Sequence, residues 1–409
     1  MSTTTGVQAL VRRTHEERVL AALRAEGALS RAGLAQRVGL SRTTLSEITA
    51  QLLDRGAIVV LDTDAAVRRG SGRPAERLAL DPSAGQYLGV DFGHRRVQVA
   101  IADASHEILA SGLERYDDGL AWDERVSLAF DTIDRLSSEH GLHLNALQAV
   151  GIGVPGPYTG RHGDHSVVAW NRGATPDGVD RSFATRFDAP VTVDNNTRLA
   201  ALAEAVSSPE GASDLVYVRL SDGVGGGLVV GGRLTRGARG FAGELGHVTA
   251  DPAGTVCRCG KRGCLETLAS VPAILAACRV QGADVTDLAD LAAAVERADP
   301  VVDAVLRRVG SVVGHVLGAA AMTLDPVEVV IGGEIAHIAP AIVEQAARTL
   351  RYELYSIPVD GPCQVRAGRL RDSDGAVGAL AAIFHQSPLL AGYPEPETSD
   401  ERNTRRSAQ

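Results

Sequence analysis

The chain has 409 residues, 44% of them hydrophobic, which is enough for two or three globular domains and excludes a fibrous or disordered protein. No uninterrupted apolar run approaches the roughly 18 to 20 residues of a membrane helix, and no signal peptide opens the chain, so we expect a cytoplasmic protein without a membrane partner. The net charge of −9 is uneven: residues 1–80 carry 12 arginines and 8 acidic residues, a net +4 that leaves −13 for the rest and makes the N-terminal region the candidate polyanion contact.

Three predicted helices come first, with Ser30 and Ser41 as N-caps of the second and third: His15–Glu26, Arg31–Val38 and Arg42–Asp54. Gly39 is the predicted C′ residue of the second helix, where glycine favours the αL conformation. Only the turn Gly39–Leu40 separates the last two helices, as in a helix-turn-helix. A β-rich stretch, Ala57–Leu61, and a hairpin with a Gly/Arg-rich tip, Val67–Leu80, then predict a wing. The sequence therefore predicts a winged helix-turn-helix DNA-binding domain over residues 1–81.

The predicted DNA contacts follow from how such a domain docks, with the N-terminal end of its second helix toward the bases. The candidates on that helix are Ser41, Arg42, Thr43, Thr44 and Ser46, and those on the wing are Arg68, Arg69 and Arg73. Arg42 suits bidentate bonding to guanine, and the wing arginines suit phosphate or the minor groove. The inward face is expected to contain Leu34, Val38, Leu40, Leu45, Ile48 and Leu52. A three-helix dimerisation bundle with a solvated arginine face is the alternative.

From Tyr87 onward, apolar strands alternate with helical stretches, which predicts an α/β fold. The predicted strands are Tyr87–Phe92, Val97–Asp103, Ala149–Val154, Val191–Asp194, Leu215–Leu220, Gly227–Val230 and Val327–Gly332. Residues 285–323 show helical spacing. The tail, residues 387–409, has no periodicity, and we expect it to be disordered.

A glycine-rich segment and a cysteine cluster follow one another in the second half of the chain. The glycines between Leu220 and Leu234 permit a tight turn or a close backbone approach. One histidine and three cysteines follow, and together they form a closed tetrahedral set for a structural Zn²⁺: His247, Cys257, Cys259 and Cys264. Such a zinc would orient the neighbouring carboxylates of Glu244 and Glu266. Free thiols on a surface loop are the alternative.

These motifs carry a resemblance. The pattern Gly-Glu-x-Gly-His followed by Cys-x-Cys-Gly-x-x-Gly-Cys-x-Glu resembles the ROK family of repressors and sugar kinases, over about residues 15 to 386. Supporting matches are Gly151–Pro157, Val193–Asn196 with Ala200–Glu204, and Ile331–Glu334. The resemblance implies a two-lobed, actin-like ATPase fold with lobes at 85–195 and 196–386. Sugar and nucleotide would lie in the cleft between the lobes.

Three positions depart from the pattern of the family's kinases. The catalytic base aspartate is replaced by Asn196, whose amide cannot accept a proton. The first phosphate-binding turn reads Asp91-Phe-Gly-His-Arg95, with bulky side chains in place of a Gly and a Thr. The second turn, Ser221-Asp-Gly223, places a carboxylate where a hydroxyl would meet phosphate. Asp194 is the one carboxylate able to substitute as base, but adjacent positions of an extended segment point in opposite directions. The sequence therefore predicts a protein that is not an enzyme.

The positions that bind sugar in the family are kept, at Asn195, Glu244, His247 and Glu266. His247 serves in both sets because its two ring nitrogens can bind sugar and zinc separately. In the alternative, these residues only brace the zinc loop. The resemblance thus implies a repressor of carbohydrate genes that binds operator DNA as a homodimer or dimer of dimers and responds to a sugar or sugar phosphate. An active kinase with a DNA-binding appendage and a ligand-blind scaffold regulated by a partner protein remain the alternatives.

Overall fold

The computed structural model describes residues 15–384 except for 17, 21, 24–25, 55–57, 62–75, 82–85, 104–106, 118, 143, 145–146, 157, 159–177, 209–212, 355–362 and 371–373. Arg68, Arg69 and Arg73 of the predicted wing tip, and the predicted disordered tail, lie outside the described residues. The limits predicted for the domains stay a prediction.

The N-terminal part folds as the predicted helices and wing strands. After helical residues between 15 and 26 come β1 (Leu29–Ser30), α1 (Arg31–Val38), α2 (Arg42–Asp54), β2 (Ile58–Leu61) and β3 (Arg77–Leu80). The sheet order is β1-β3-β2, all antiparallel. Ser30 Oγ accepts from Gly33 N at 3.1 Å, and Gly39 ends α1 with φ +68°, as the sequence predicted. The predicted inward face is buried except for Leu40, which is half-buried and packs on the same core.

The first lobe is built on a five-stranded sheet of order β6-β5-β4-β7-β8, in which β4, β5 and β6 are antiparallel and β4, β7 and β8 are parallel. Its elements are β4 (Gln86–Phe92), β5 (Arg96–Asp103), β6 (Ile108–Arg115), α3 (Trp122–His140), β7 (Leu147–Val154), α4 (Val179–Phe187) and β8 (Val191–Asn195). The four predicted strands here are confirmed to within two residues at each end. β6 was not predicted, because its half-exposed sequence lacks a continuous apolar run.

The second lobe repeats this topology in the order β11-β10-β9-β12-β13. Its strands are β9 (Leu215–Leu220), β10 (Val224–Val230), β11 (Arg233–Leu234), β12 (Glu328–Gly332) and β13 (Gln364–Ala367). Its helices are α6 (Glu266–Ala269), α7 (Val271–Val280), α8 (Leu288–Glu296), α9 (Pro300–Leu324), α10 (Glu334–Ile338) and α11 (Pro340–Glu353). By length and composition α9 could cross a membrane, but 56% of its apolar window is buried, and it packs along α11 as a core helix.

Two helices connect the lobes: α5 (Asn196–Val206) and α12 (Asp374–Phe384), which pack against each other. The prediction assigns α12 to the second lobe, yet it also packs on β4 and β7 of the first sheet. The glycine-rich strand β10 lies against α5, and a Cβ added at Gly225 or Gly227 would come within 3.0 Å of that helix's side chains. The glycines therefore allow a strand and a helix to approach closely, and this packing sets the position of α5 at the cleft.

Candidate functional site

The recognition helix α2 presents most of the predicted DNA contacts to solvent. Ser41, Arg42, Thr43 and Ser46 are exposed, and Thr44 is half-buried. Ser41 Oγ accepts from Thr44 N at 3.1 Å, so Ser41 caps the helix, and it also lies 2.8 Å from Thr44 Oγ1. Arg42 forms no ion pair with a described residue. Arg42, Thr43 and Ser46 are thus exposed and do not cap the helix, and their contact with bases stays a prediction.

A cleft of about 770 Å³, including its open mouth, lies between the lobes. It is lined from the first lobe by the turn that joins β4 to β5, and from the second by the β9–β10 turn, the start of α5 and the cysteine loop. All four predicted sugar-binding residues line it: Asn195, Glu244, His247 and Glu266. Asn196 lines it as well, so one cleft contains the predicted sugar set and the residue predicted to replace the catalytic base.

The side chains at the start of α5 are held by hydrogen bonds. Asn195 Oδ1 caps α5 by accepting from the backbone of the next turn, and its Nδ2 donates to Gly156 O at 2.6 Å. Asn196 Nδ2 donates to Phe92 O at 3.1 Å across to β4. Asp194 is buried and paired with Arg198 and Arg236, each at 2.6 Å. The predicted orientation of Asp194, opposite to that of its neighbour Asn195, agrees with this pairing. Both arginines bind the Asp194 carboxylate, and Asp194 is not among the residues that line the cleft.

Two carboxylates of the cleft differ in their partners. Glu266 is clamped by Arg258, with Nε 2.9 Å from Oε1, and it accepts from Val224 N at 3.1 Å. The carboxylate of Glu244 makes no hydrogen bond or ion pair with any described residue, and burial raises its pKa to about 6 although Arg198 opposes the shift. The Glu244 carboxylate therefore has free bonding capacity, as a carboxylate that binds hydroxyl groups requires.

The cysteine cluster fits a tetrahedral metal ion. The ligand atoms of His247, Cys257, Cys259 and Cys264 all lie within 4.8 Å of one another. Cys259 Sγ lies 3.5 Å from Cys264 Sγ, and Cys257 Sγ lies 3.7 Å from His247 Nδ1. Zinc–sulfur bonds of about 2.3 Å in a tetrahedron imply sulfur separations of about 3.8 Å, so the set has room for such an ion. These four residues could hold a metal ion.

Glu334 connects the two turns that correspond to the phosphate-binding turns. Its Oε2 accepts from Ser221 Oγ of the second turn at 2.9 Å, and its Oε1 lies 3.5 Å from Arg96 Nη1, next to the first turn. The first turn is itself braced, since Tyr116 Oη donates to Gly93 O at 2.7 Å. Side chains of the protein thus bridge the gap between the turns.

Arg219 is a buried cation that sequence reasoning missed. It lies in β9, contacts Asp374 at the start of α12, and its Nη1 is 3.9 Å from Asp91 Oδ2 at the end of β4. Burial raises the pKa of Asp91, opposed by Arg219 and Arg96. Neither Asp91 oxygen has a hydrogen-bond partner among the described residues; the nearby Asn196 amide donates to Phe92 O instead. The signal in the sequence was a lone arginine in the otherwise apolar strand Leu215–Leu220. Sequence reasoning also missed Arg258, which lies between two predicted zinc ligands and pairs with Glu266.

Comparisons with known proteins agree with this architecture. The model of the ROK family matches residues 87–387, about three quarters of the chain. The chain belongs to the ROK family. A winged helix-turn-helix DNA-binding model matches residues 12–59, so this ROK protein carries an N-terminal DNA-binding fold.

The relatives of this ROK chain include a kinase and regulators. A glucokinase of Halalkalibacterium halodurans is 28% identical, with 75% of this chain and 93% of the relative covered. A putative xylose repressor of a Caldicellulosiruptor species is 26% identical, and the match covers 95% of this chain and 99% of that protein. A crystal structure of a ROK family transcriptional regulator, described as a homologue of the Escherichia coli MLC protein, superimposes with a TM-score of 0.73 at 24% identity, covering 93% and 98% of the two chains. The kinase match covers three quarters of this chain, whereas the two regulator matches cover 95% and 93% of it.

Proposed function

We propose that this protein is a sugar-responsive transcription repressor whose ROK domain binds its effector without phosphorylating it. The proposal depends on Asn196, which the family pattern aligns with the catalytic base and whose amide donates to Phe92 O within the cleft. A general base must accept a proton in the transition state, and the side-chain amide of asparagine is not basic enough to do so. The carboxylate beside it, Asp194, is held by two arginines and does not replace the base.

The bridge between the two turns supports loss of ATP chemistry independently. Glu334, bound to Ser221 and Arg96, places a carboxylate beside the space that the transferred phosphoryl group would cross. Asp222 adds a second carboxylate on the second turn. Like charges at contact distance in a partly buried site cost about 4 kcal/mol at an effective dielectric constant of 20, so a polyphosphate is strongly disfavoured there.

Sugar recognition is supported by the four side chains that meet in the cleft. Glu244 and Glu266 supply acceptors, Asn195 supplies an amide, and His247, whose Nδ1 faces the cysteines, adds an imidazole to the cleft lining. We propose that the ion in the cysteine cluster is zinc and that it is structural, because three thiolates and one imidazole close the tetrahedron. When bound, it would fix the loop that carries Arg258 and hence the orientation of Glu266.

DNA binding would use α2 in the major groove, with Arg42 reading guanine and the wing arginines, Arg68, Arg69 and Arg73, contacting phosphate or the minor groove. A homodimer or dimer of dimers would place two such helices on a palindromic operator. Because the cleft is lined from both lobes, an effector that prefers one degree of closure shifts the spacing of the DNA-binding domains.

The test is operator binding by the full chain, on its own promoter DNA, titrated with sugars and sugar phosphates with and without ATP. We expect one sugar class to change the operator affinity at least fivefold and ATP to have no effect. Asn196→Asp and Asn196→Ala serve as a pair, and neither is expected to change the effector response by more than a small factor.

Two outcomes would contradict the proposal in different ways. Sugar-stimulated ADP formation by the unmodified protein would mean that it is an active kinase with a DNA-binding appendage. The absence of a response to any sugar or sugar phosphate would mean that the domain is a ligand-blind scaffold.

A further inference from the structure

The cleft has an uneven charge distribution that its predicted sugar residues do not explain. Arg95, Arg96 and Arg115 line the first-lobe side of its mouth, around the first turn. Asp222 and Glu334 line the facing side. A neutral sugar requires hydrogen-bond partners for its hydroxyl groups, and it does not require three guanidinium groups on one wall of its cleft.

Two of these arginines are placed directly opposite each other. Arg96, the first residue of β5, is the cross-strand partner of Arg115, the last residue of β6. Like charges in that position destabilise a strand pair unless an anion lies between them. Glu334 neutralises Arg96 only, at 3.5 Å. Arg95 and Arg115 are exposed and form no ion pair or side-chain hydrogen bond with a described residue.

Three hydrogen bonds hold the turn that carries Arg95. Gly93 N donates to Arg96 O at 2.8 Å, and Tyr116 N donates to Arg95 O at 3.0 Å, which continues the β5–β6 ladder into the turn. Tyr116 Oη holds Gly93 O from the same side. His94 projects from this turn toward the predicted sugar residues: a Cβ added at Gly223 would lie 3.0 Å from Glu266 Oε2 and 3.8 Å from His94 Nε2. The basic wall and the sugar set therefore adjoin.

We infer that Arg95 and Arg115 form an anion subsite, and that the effector is a phosphate monoester of a sugar. This rests on the proposed function, because the sugar moiety is the part held by Glu244 and Glu266. A single phosphate group can lie on the first turn alone, with the two guanidinium groups as its partners. A polyphosphate would extend to the second turn and meet Asp222 and Glu334, so nucleotides are excluded by the same arrangement that admits a monoester.

The experiment is isothermal titration of the full chain with pairs of probes at low ionic strength: glucose and glucose 6-phosphate, and N-acetylglucosamine and its 6-phosphate, with inorganic phosphate and ATP alongside. The test variant is Arg95→Gln/Arg115→Gln. The control is Arg308→Gln/Arg348→Gln, which removes the same charge from exposed positions outside the cleft. Operator release by each probe is measured in parallel.

We expect one sugar phosphate to bind roughly 10- to 100-fold more tightly than its free sugar, from the gain of one or two charge-assisted hydrogen bonds. The Arg95/Arg115 variant should lose that advantage and keep the free-sugar affinity within about twofold, since hydroxyl contacts are untouched. The control should behave as the unmodified protein. Added KCl should weaken the phosphate advantage, because exposed charges are screened.

Equal affinity for a sugar and its phosphate would overturn this inference and leave the proposed function intact. The same holds if the control variant loses the advantage as fully as the test variant, since a general charge effect would then explain it. Failure of every sugar and every sugar phosphate to bind would overturn the proposed function and this inference with it.

Discussion

The buried arginine at the junction of the lobes gives the sharpest stability prediction. Arg219 contacts Asp374, and its side chain and that of Asp374 are 8% and 3% exposed, while Asp91, 3.9 Å away, is fully buried. The change Arg219→Met keeps most of the side-chain volume and removes the cation that contacts Asp374 and lies 3.9 Å from Asp91. Breaking a buried ion pair from one side costs about 3–5 kcal/mol, because an uncompensated charge stays buried. For a domain of this size that is a fall in Tm on the order of 10 °C.

The same variant should change how stability depends on pH. Burial already raises the pKa of Asp91, and loss of Arg219 raises it further. A carboxyl whose folded pKa exceeds its unfolded value binds more protons in the folded state, so stability falls as pH rises through that window. The deficit of Arg219→Met should therefore be larger at pH 8 than at pH 5.

Urea unfolding of the variant at both pH values, with Arg219→Met/Asp374→Asn and Arg308→Met beside it, tests this reasoning. The double variant should recover part of the loss, because it removes one buried charge. Arg308→Met, at an exposed arginine, should cost less than about 0.5 kcal/mol. A loss below about 1 kcal/mol for Arg219→Met, with no dependence on pH, would refute the assignment of Arg219 as a buried counter-ion.

The other predictions concern the cleft, the cysteine loop, the glycine-rich strand and DNA. Because burial raises the pKa of Glu244 from 4.5 to about 6, stability should fall as pH rises between those values, and Glu244→Gln should flatten that slope and add about 2 kcal/mol at pH 7 in denaturant titrations. Cys264→Ser should lower bound zinc, measured by elemental analysis, well below one ion per chain; full retention would exclude Cys264 as a ligand. Gly227→Ala should destabilise by about 1–3 kcal/mol in thermal melts because its Cβ meets a neighbouring helix, whereas Gly119→Ala, with open space around it, should be neutral. Arg42→Ala should weaken operator binding by about 1–3 kcal/mol and relax the preference for one base pair; an unchanged sequence preference would argue against base reading by Arg42.

Local patterns predicted much of the secondary structure because they act over a few residues. The caps at Ser30 and Ser41 and the αL conformation at Gly39 depend only on neighbouring backbone groups, and the structure places them as expected. The strand β9 was predicted to the residue because six consecutive buried positions read as one apolar run apart from Arg219. Strands β6 and β13 were not predicted, because they are only partly buried and their apolar pattern is weak.

For the cleft, the sequence alone determined which residue types are present: the amide at Asn196, the cysteine spacing from Cys257 to Cys264, and the changed phosphate turns. Only the tertiary structure decided which of them meet. The contact of Arg219 with Asp374 joins positions 155 residues apart, and the bond between Ser221 and Glu334 spans 113. Local sequence fixes a side chain's chemistry, but its partner, and hence its charge balance and its role, depends on how two sheets and the helices between them pack.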